Sequence, residues 1–272
     1  MLISATSALV LNWTSKEIWK SKNAREYFEG LDLNEGNILL NMFDEQERFM
    51  QTQSVTNRKY FVRKYTMEFL NTCQNENKNG QVIILAAGIA PLSVEIASFF
   101  PKSMVFDVDK YSMIEKEKYL NNICPNIKFI ECDITNIELL KLKMIQKGWN
   151  PEDPALLIME GIVYYLSEND LKNILGFFAD NNSLLIADFV LKPECTNVKN
   201  RIFGEEVFRK IKESVGLEFV NFYDPVYFMT LARECGFENG KRFTMNEIQF
   251  ERTGQKDPFD FEEPGWISMV RN

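Results

Sequence analysis

From Gln81 onward the chain repeatedly exchanges a short, unbroken apolar run for a helix-forming interval, and this alternation restricts its fold more than any other feature. Strands that are apolar at every position must be covered on both faces, the pattern of a parallel sheet between two layers of helices. The runs fall at 82–85, 103–108, 128–131, 155–159 and 183–189. Helices are predicted between them, among them 91–100, with Pro91 at a first-turn position, and 168–178, with Ser167 as N-cap and Asp170 three residues on. The window 82–100 is apolar enough to suggest a membrane span. It contains Gly88, Pro91 and Glu95 and changes period halfway, so it reads as strand, turn and helix.

Residues 1 to about 80 read as helical, with Phe43, Glu45, Arg48, Phe49 and Met50 marking an amphipathic segment; the polar run NTCQNENKNG at 71–80 reads as the linker into the sheet. After the last apolar run, 191–215 is charged and helix-like, placed to act as a lid over the strand ends. A helix is predicted at 226–235, closed by Gly236. Residues 243–252 and 266–271 alternate like two strands of an antiparallel pair, joined by the acidic loop at 257–263. At 272 residues the chain is expected to form one domain. Within it, 1–80 is a helical cap, 81–190 a ligand-binding core, and 191–272 the lid and C-terminal strands.

Thirty-one basic against 39 acidic residues give a net charge of −8, which disfavours nucleic acid and anionic lipid surfaces as partners. The five cysteines, at 73, 124, 132, 195 and 235, are odd in number and contain no CxxC pair, which argues against a disulfide framework and a zinc site and for a reducing compartment. The apolar start at 1–13 lacks a basic leader and a small-residue cleavage site, so a cytoplasmic location is expected. The chain has no histidine, which removes the commonest general base and the commonest metal ligand.

Four strand ends carry the candidate chemistry. The run at 82–85 enters the small-residue turn Ala86-Ala87-Gly88-Ile89-Ala90 and then a helix, where the backbone can approach a ligand closely and the helix N-terminus offers N–H groups. Only Gly88 of a G-x-G pattern is present, and a plain βα turn would look the same. Asp109 follows Gly88 by 21 positions, the spacing at which a carboxylate accepts from both ribose hydroxyls of a nucleotide-like ligand; capping the next helix is the alternative role. Glu131-Cys132-Asp133-Ile134 and Met159-Glu160-Gly161 follow the third and fourth strands. Acids leaving successive parallel strands at the same end point into one crevice, although each alone can serve as a helix cap.

The runs QVIILAAG, VFDVD, FIECDI and PALLIMEGIVYYL together resemble the leucine carboxyl methyltransferase family and its bacterial O-methyltransferase relatives. The resemblance is good over roughly 55–190, includes Arg58-Lys59-Tyr60-Phe61-Val62-Arg63, and thins to little beyond Arg201-Ile202-Phe203-Gly204. It implies an α/β, Rossmann-like class I methyltransferase fold: a seven-stranded, mostly parallel sheet with helices on both faces, an N-terminal helical cap and a lid after strand 5. It implies S-adenosylmethionine as cofactor, with Arg58 at the methionyl carboxylate, Ala86 and Gly88 at the close-approach turn and Asp109 at the ribose. Asp133 and Ile134 would flank the adenine, Glu160 would face the methionyl end, and Tyr165 would line the site. Without the resemblance, Arg58, Lys59, Arg63 and Lys64 read as the solvated face of a helix. The turn departs from the family's usual G-A-G followed by aspartate and arginine.

The implied reaction is methyl transfer to an oxygen, in which alignment of donor and acceptor does most of the work and no metal is needed. A carboxylate of a small molecule or peptide suits a chain without histidine, since it arrives ionised. Arg63 is the candidate for holding it, and with Tyr165 completes the expected catalytic pair. A phenol, alcohol or amine acceptor is the rival, and a non-catalytic methyltransferase-like binding domain is a rival of another class.

Overall fold

The computed structural model describes residues 4–179, 183–196, 198–215, 220–259 and 266–271, with side chains described except at 198–204, 214–215 and 266–271. The N-terminal part is helical as expected: α1 (Ala5–Asn12), α2 (Lys22–Glu29), α3 (Asn34–Leu40) and the 31-residue α4 (Glu45–Asn75). A capping box between Asp44 and Glu47 starts α4. It runs five residues into the expected linker because Leu70 and Cys73, one turn apart, keep its apolar stripe buried.

The five apolar runs become β1 (Gln81–Leu85), β2 (Met104–Asp109), β3 (Ile127–Glu131), β4 (Ala155–Met159) and β5 (Ser183–Val190), all parallel, separated by α5 (Leu92–Phe99), α6 (Met113–Leu120), α7 (Ile137–Gln146) and α8 (Glu168–Ala179). Ser167 caps α8, receiving the Asp170 N–H at 3.1 Å. Alternate strand residues feed two cores. Ile83, Leu85, Phe106, Leu157 and Leu185 pack against α7 and α8 on one face. Val82, Ile84, Val105, Leu156 and Ile158 pack against α4, α5 and α6 on the other. Both sets are almost wholly buried, which is why no polar alternation marks these strands.

The remaining elements are α9 (Val198–Val215), α10 (Pro225–Glu234), β6 (Gly240–Phe243), α11 (Met245–Thr253) and β7 (Trp266–Arg271). β7 pairs antiparallel with both β5 and β6, giving the order β3-β2-β1-β4-β5-β7-β6. The expected strand at 243–252 is therefore wrong beyond Phe243. Thr244 and Glu247 form a capping box, and Met245 and Ile248 recur at a helical spacing into the core. Most of the expected acidic loop lies outside the described residues. Through Val207, α9 packs on Leu9, Trp13, Phe43 and Val55 of the N-terminal helices, and its Lys210 pairs with Glu47 of α4.

Candidate functional site

The strand order reverses beside β1: the chain passes outward through β2 and β3 and then returns to β4 on the other side. Such a reversal opens a crevice at the carboxyl ends of the strands. A cleft of about 270 Å³ lies there, walled by the 86–90 turn, Asp109, Glu160, Gly161, Tyr164 and Tyr165, with Arg58 and Lys59 of α4 on one side and Ser4, Thr6 and Ser7 at the start of α1 across it. The turn is unusual in conformation. Ala86 and Gly88 both occupy the left-handed region, at φ 53° and 50°, and a Cβ at Gly88 would sit 3.3 Å from the Ser7 hydroxyl oxygen. For an alanine that backbone costs on the order of 1 kcal/mol, so the surroundings must hold it. The Ala87 N–H donates to the Val108 carbonyl at 3.0 Å, and the Gly88 N–H donates to Asp109 Oδ2 at 2.8 Å.

Behind the turn after β4 lies a buried cluster of four charges. Arg58 Nε and Lys59 Nζ both lie 2.8 Å from Glu160 Oε1, and Arg58 Nη1 lies 3.4 Å from Asp188 Oδ2. Asp188 Oδ1 also accepts the Gly161 N–H at 2.6 Å. Burial alone would push Glu160 up, but Lys59 and Arg58 outweigh it and hold the carboxyl below the ordinary range. Asp188 is pushed up to about 6 by burial, against the pull of Arg58. Burial lowers Lys59 below the usual lysine value, with neighbouring Arg58 adding to the effect and Glu160 opposing it. Burial also opposes the charge on Arg58, but the two carboxylates overcome it and raise its value.

Of the residues singled out in the sequence, Arg58, Ala86, Gly88, Asp109, Glu160 and Tyr165 meet in this one cleft. Arg63, Asp133 and Ile134 are not among its lining residues. Arg63 Nε instead bonds Glu95 of α5, a carboxylate with no exposure that also accepts the Lys20 and Ser21 N–H groups, so Arg63 ties three helical segments together away from the cleft. Asp133 pairs with Lys110 at 3.0 Å on the surface, and its carboxyl is held below the ordinary range chiefly by the Thr135 hydroxyl. Ile134 is buried in the core. Sequence reasoning missed Lys59, Asp188 and Tyr164 as site residues. Asp188 is a lone acid inside an apolar strand, and that is the signal that could have found it.

The chain matches the leucine carboxyl methyltransferase family over residues 15–179, more than half its length and the stretch that supplies most of the residues lining this cleft. The chain belongs to that family. No curated protein matches the sequence of this methyltransferase-family chain. Among solved structures, a DUF574-family protein from Streptomyces avermitilis is 13% identical, with 98% of this chain and 97% of that one covered and a TM-score of 0.62. A candidate methyltransferase from Thermobifida fusca is 15% identical, covers 97% and 93%, and gives 0.66. At these identities the likeness is one of fold. The cofactor of the family is S-adenosylmethionine. The cleft suits its polar groups: carboxylates at opposite walls for hydroxyls and an ammonium, and a small-residue turn for close backbone approach.

Proposed function

We propose that this methyltransferase places a methyl group on an oxygen of a small-molecule or peptide carboxylate. When bound, S-adenosylmethionine supplies an already activated methyl group. The protein's own residues hold and align. Asp109 accepts from the ribose hydroxyls, Arg58 receives the methionyl carboxylate, Glu160 faces the methionyl ammonium, and Tyr165 lines the acceptor side. The observation that carries the choice of acceptor is Lys59: its ammonium, paired with Glu160 at 2.8 Å, lines the cleft as a cation that an anionic acceptor can meet. An acceptor that arrives ionised needs no base and suits this cation.

A small cavity beside the cleft, lined by Val207, Phe208 and Ile211 of α9 together with Trp13, Val55 and the two tyrosines, supports α9 as the lid on the acceptor side. A cytoplasmic setting is supported by the five free cysteines, and no described helix is long and apolar enough to cross a membrane.

The second reading, methylation of a phenol, alcohol or amine, has one observation in its favour: the lowered value of Lys59. Incubation with labelled S-adenosylmethionine and a panel of carboxylic acids and phenols separates the two. A base-labile methyl ester is expected, formed at a rate nearly flat between about pH 6 and 9. An alkali-stable ether or N-methyl product establishes the second reading instead. Cofactor binding without transfer to any acceptor would point to a binding domain.

A further inference from the structure

Lys116 of α6 has no exposure to solvent. An ammonium has three protons to place, and three acceptors surround this one: Asp107 Oδ2 at 2.7 Å, the Gly88 carbonyl at 3.0 Å and the Ala90 carbonyl at 3.4 Å. Asp107 is equally buried inside β2 and also takes the Ser93 hydroxyl at 2.6 Å. Two of the three acceptors thus belong to the turn whose other side lines the cleft. An ammonium is expensive to bury, and a βα turn with no ligand to meet does not require one.

The consequence is geometric. The Gly88 N–H is fixed by Asp109 on the cleft side, while its carbonyl is fixed by Lys116 from behind. Both peptide planes flanking Gly88 are therefore locked in a turn that has one glycine and carries an alanine at φ 53°. We propose that Lys116, charge-balanced by Asp107, is a positioning residue for S-adenosylmethionine: it sets the orientation of the turn's backbone groups and replaces the conformational freedom that a second glycine would have given. This rests on the cofactor reading of the cleft.

Lys116→Met alone would strand the Asp107 charge, so the informative variant is Lys116→Met/Asp107→Asn, which removes both charges together while leaving the two carbonyls without their donor. The double variant is expected to fold, to bind S-adenosylhomocysteine at least about 10-fold more weakly by calorimetry, and, without ligand, to exchange the amide protons of 87–90 about 10-fold faster. Asp107→Asn alone strands the buried ammonium in the same way, so the comparison is drawn between the double variant and wild type. A folded double variant that binds within about twofold of wild type overturns the proposal. A double variant that cannot fold overturns it too, because the pair is then a requirement of the core. Wild-type protein that fails to bind S-adenosylhomocysteine removes the cofactor reading itself, a result distinct from either.

Discussion

Replacing Glu160 by glutamine changes one charge and almost no volume, so it isolates what the buried cluster contributes. Glu160 Oε1 lies 2.8 Å from both Arg58 Nε and Lys59 Nζ, and its side chain is 8% exposed. At an effective dielectric of about 20, each contact is worth roughly 6 kcal/mol before desolvation. Desolvating the three groups offsets most of that sum, and stripping one partner from a buried pair costs about 3–5 kcal/mol net. Among the described residues, Asp188 still pairs with Arg58, and Lys59 keeps no other carboxylate within ion-pair distance. A loss at the upper end of that range is expected at pH 7. Urea unfolding followed by circular dichroism measures it, with Glu26→Gln, whose partner Lys22 is exposed, as a control expected to leave the midpoint in place. A Glu160→Gln protein within about 1 kcal/mol of wild type would mean that the carboxylate holds neither cation.

Three further outcomes are expected. Asp109→Ala should weaken S-adenosylhomocysteine binding by about 1–3 kcal/mol in calorimetry while the protein stays folded; because the same carboxylate holds the Gly88 N–H, amide exchange at Gly88 should also quicken. Arg63→Met should lower the unfolding midpoint, since it leaves the fully buried Glu95 without its cation, yet leave cofactor affinity unchanged. An affinity loss would return Arg63 to the site. For pH, the folded Asp188 keeps its proton up to about 6, whereas in the unfolded chain it loses it near 4, so the folded state binds more protons in that window and stability falls as pH rises through it. Asp188→Asn removes this slope, and between pH 4 and 7 its stability relative to wild type should climb by up to about 3 kcal/mol. Glu160, with its lowered folded value, works in the opposite sense at lower pH, and its contribution is lost as pH falls. A wild-type-to-variant difference that does not change across pH 4–7 would mean that Asp188 is not raised.

The core strands were legible because burial on both faces leaves no ambiguity between an apolar run and a parallel strand. The β6–α11 region was not, since Phe243, Met245, Ile248 and Phe250 satisfy a strand's alternation in part and a helix's spacing in part; the Thr244–Glu247 capping box decides between them. Asp109 and Glu160 were legible as strand-end acids. Lys59 and Lys116 were not, because a charged residue declares itself buried only through a partner, and sequence alone pairs neither Lys59 with Glu160 nor Lys116 with Asp107; Asp188 stood out only as an acid inside an apolar strand.

The fate of the two arginines in Arg58-Lys59-Tyr60-Phe61-Val62-Arg63 shows how one helix assigns different tasks to neighbouring residues. After its last turn α4 reverses directly into β1, so progress along the helix leads away from the strands' carboxyl ends. Five residues at about 1.5 Å each carry Arg63 some 7 Å further from the crevice than Arg58. At that depth the facing element is the first turn of α5, which offers Glu95, and not the strand ends, which offer Glu160 and Asp188. Spacing of one helical turn from Lys59 put Arg63 on the correct face of the helix but at the wrong height. Face follows from periodicity within the sequence; height follows from where the helix meets the sheet, which the 76–80 connection sets.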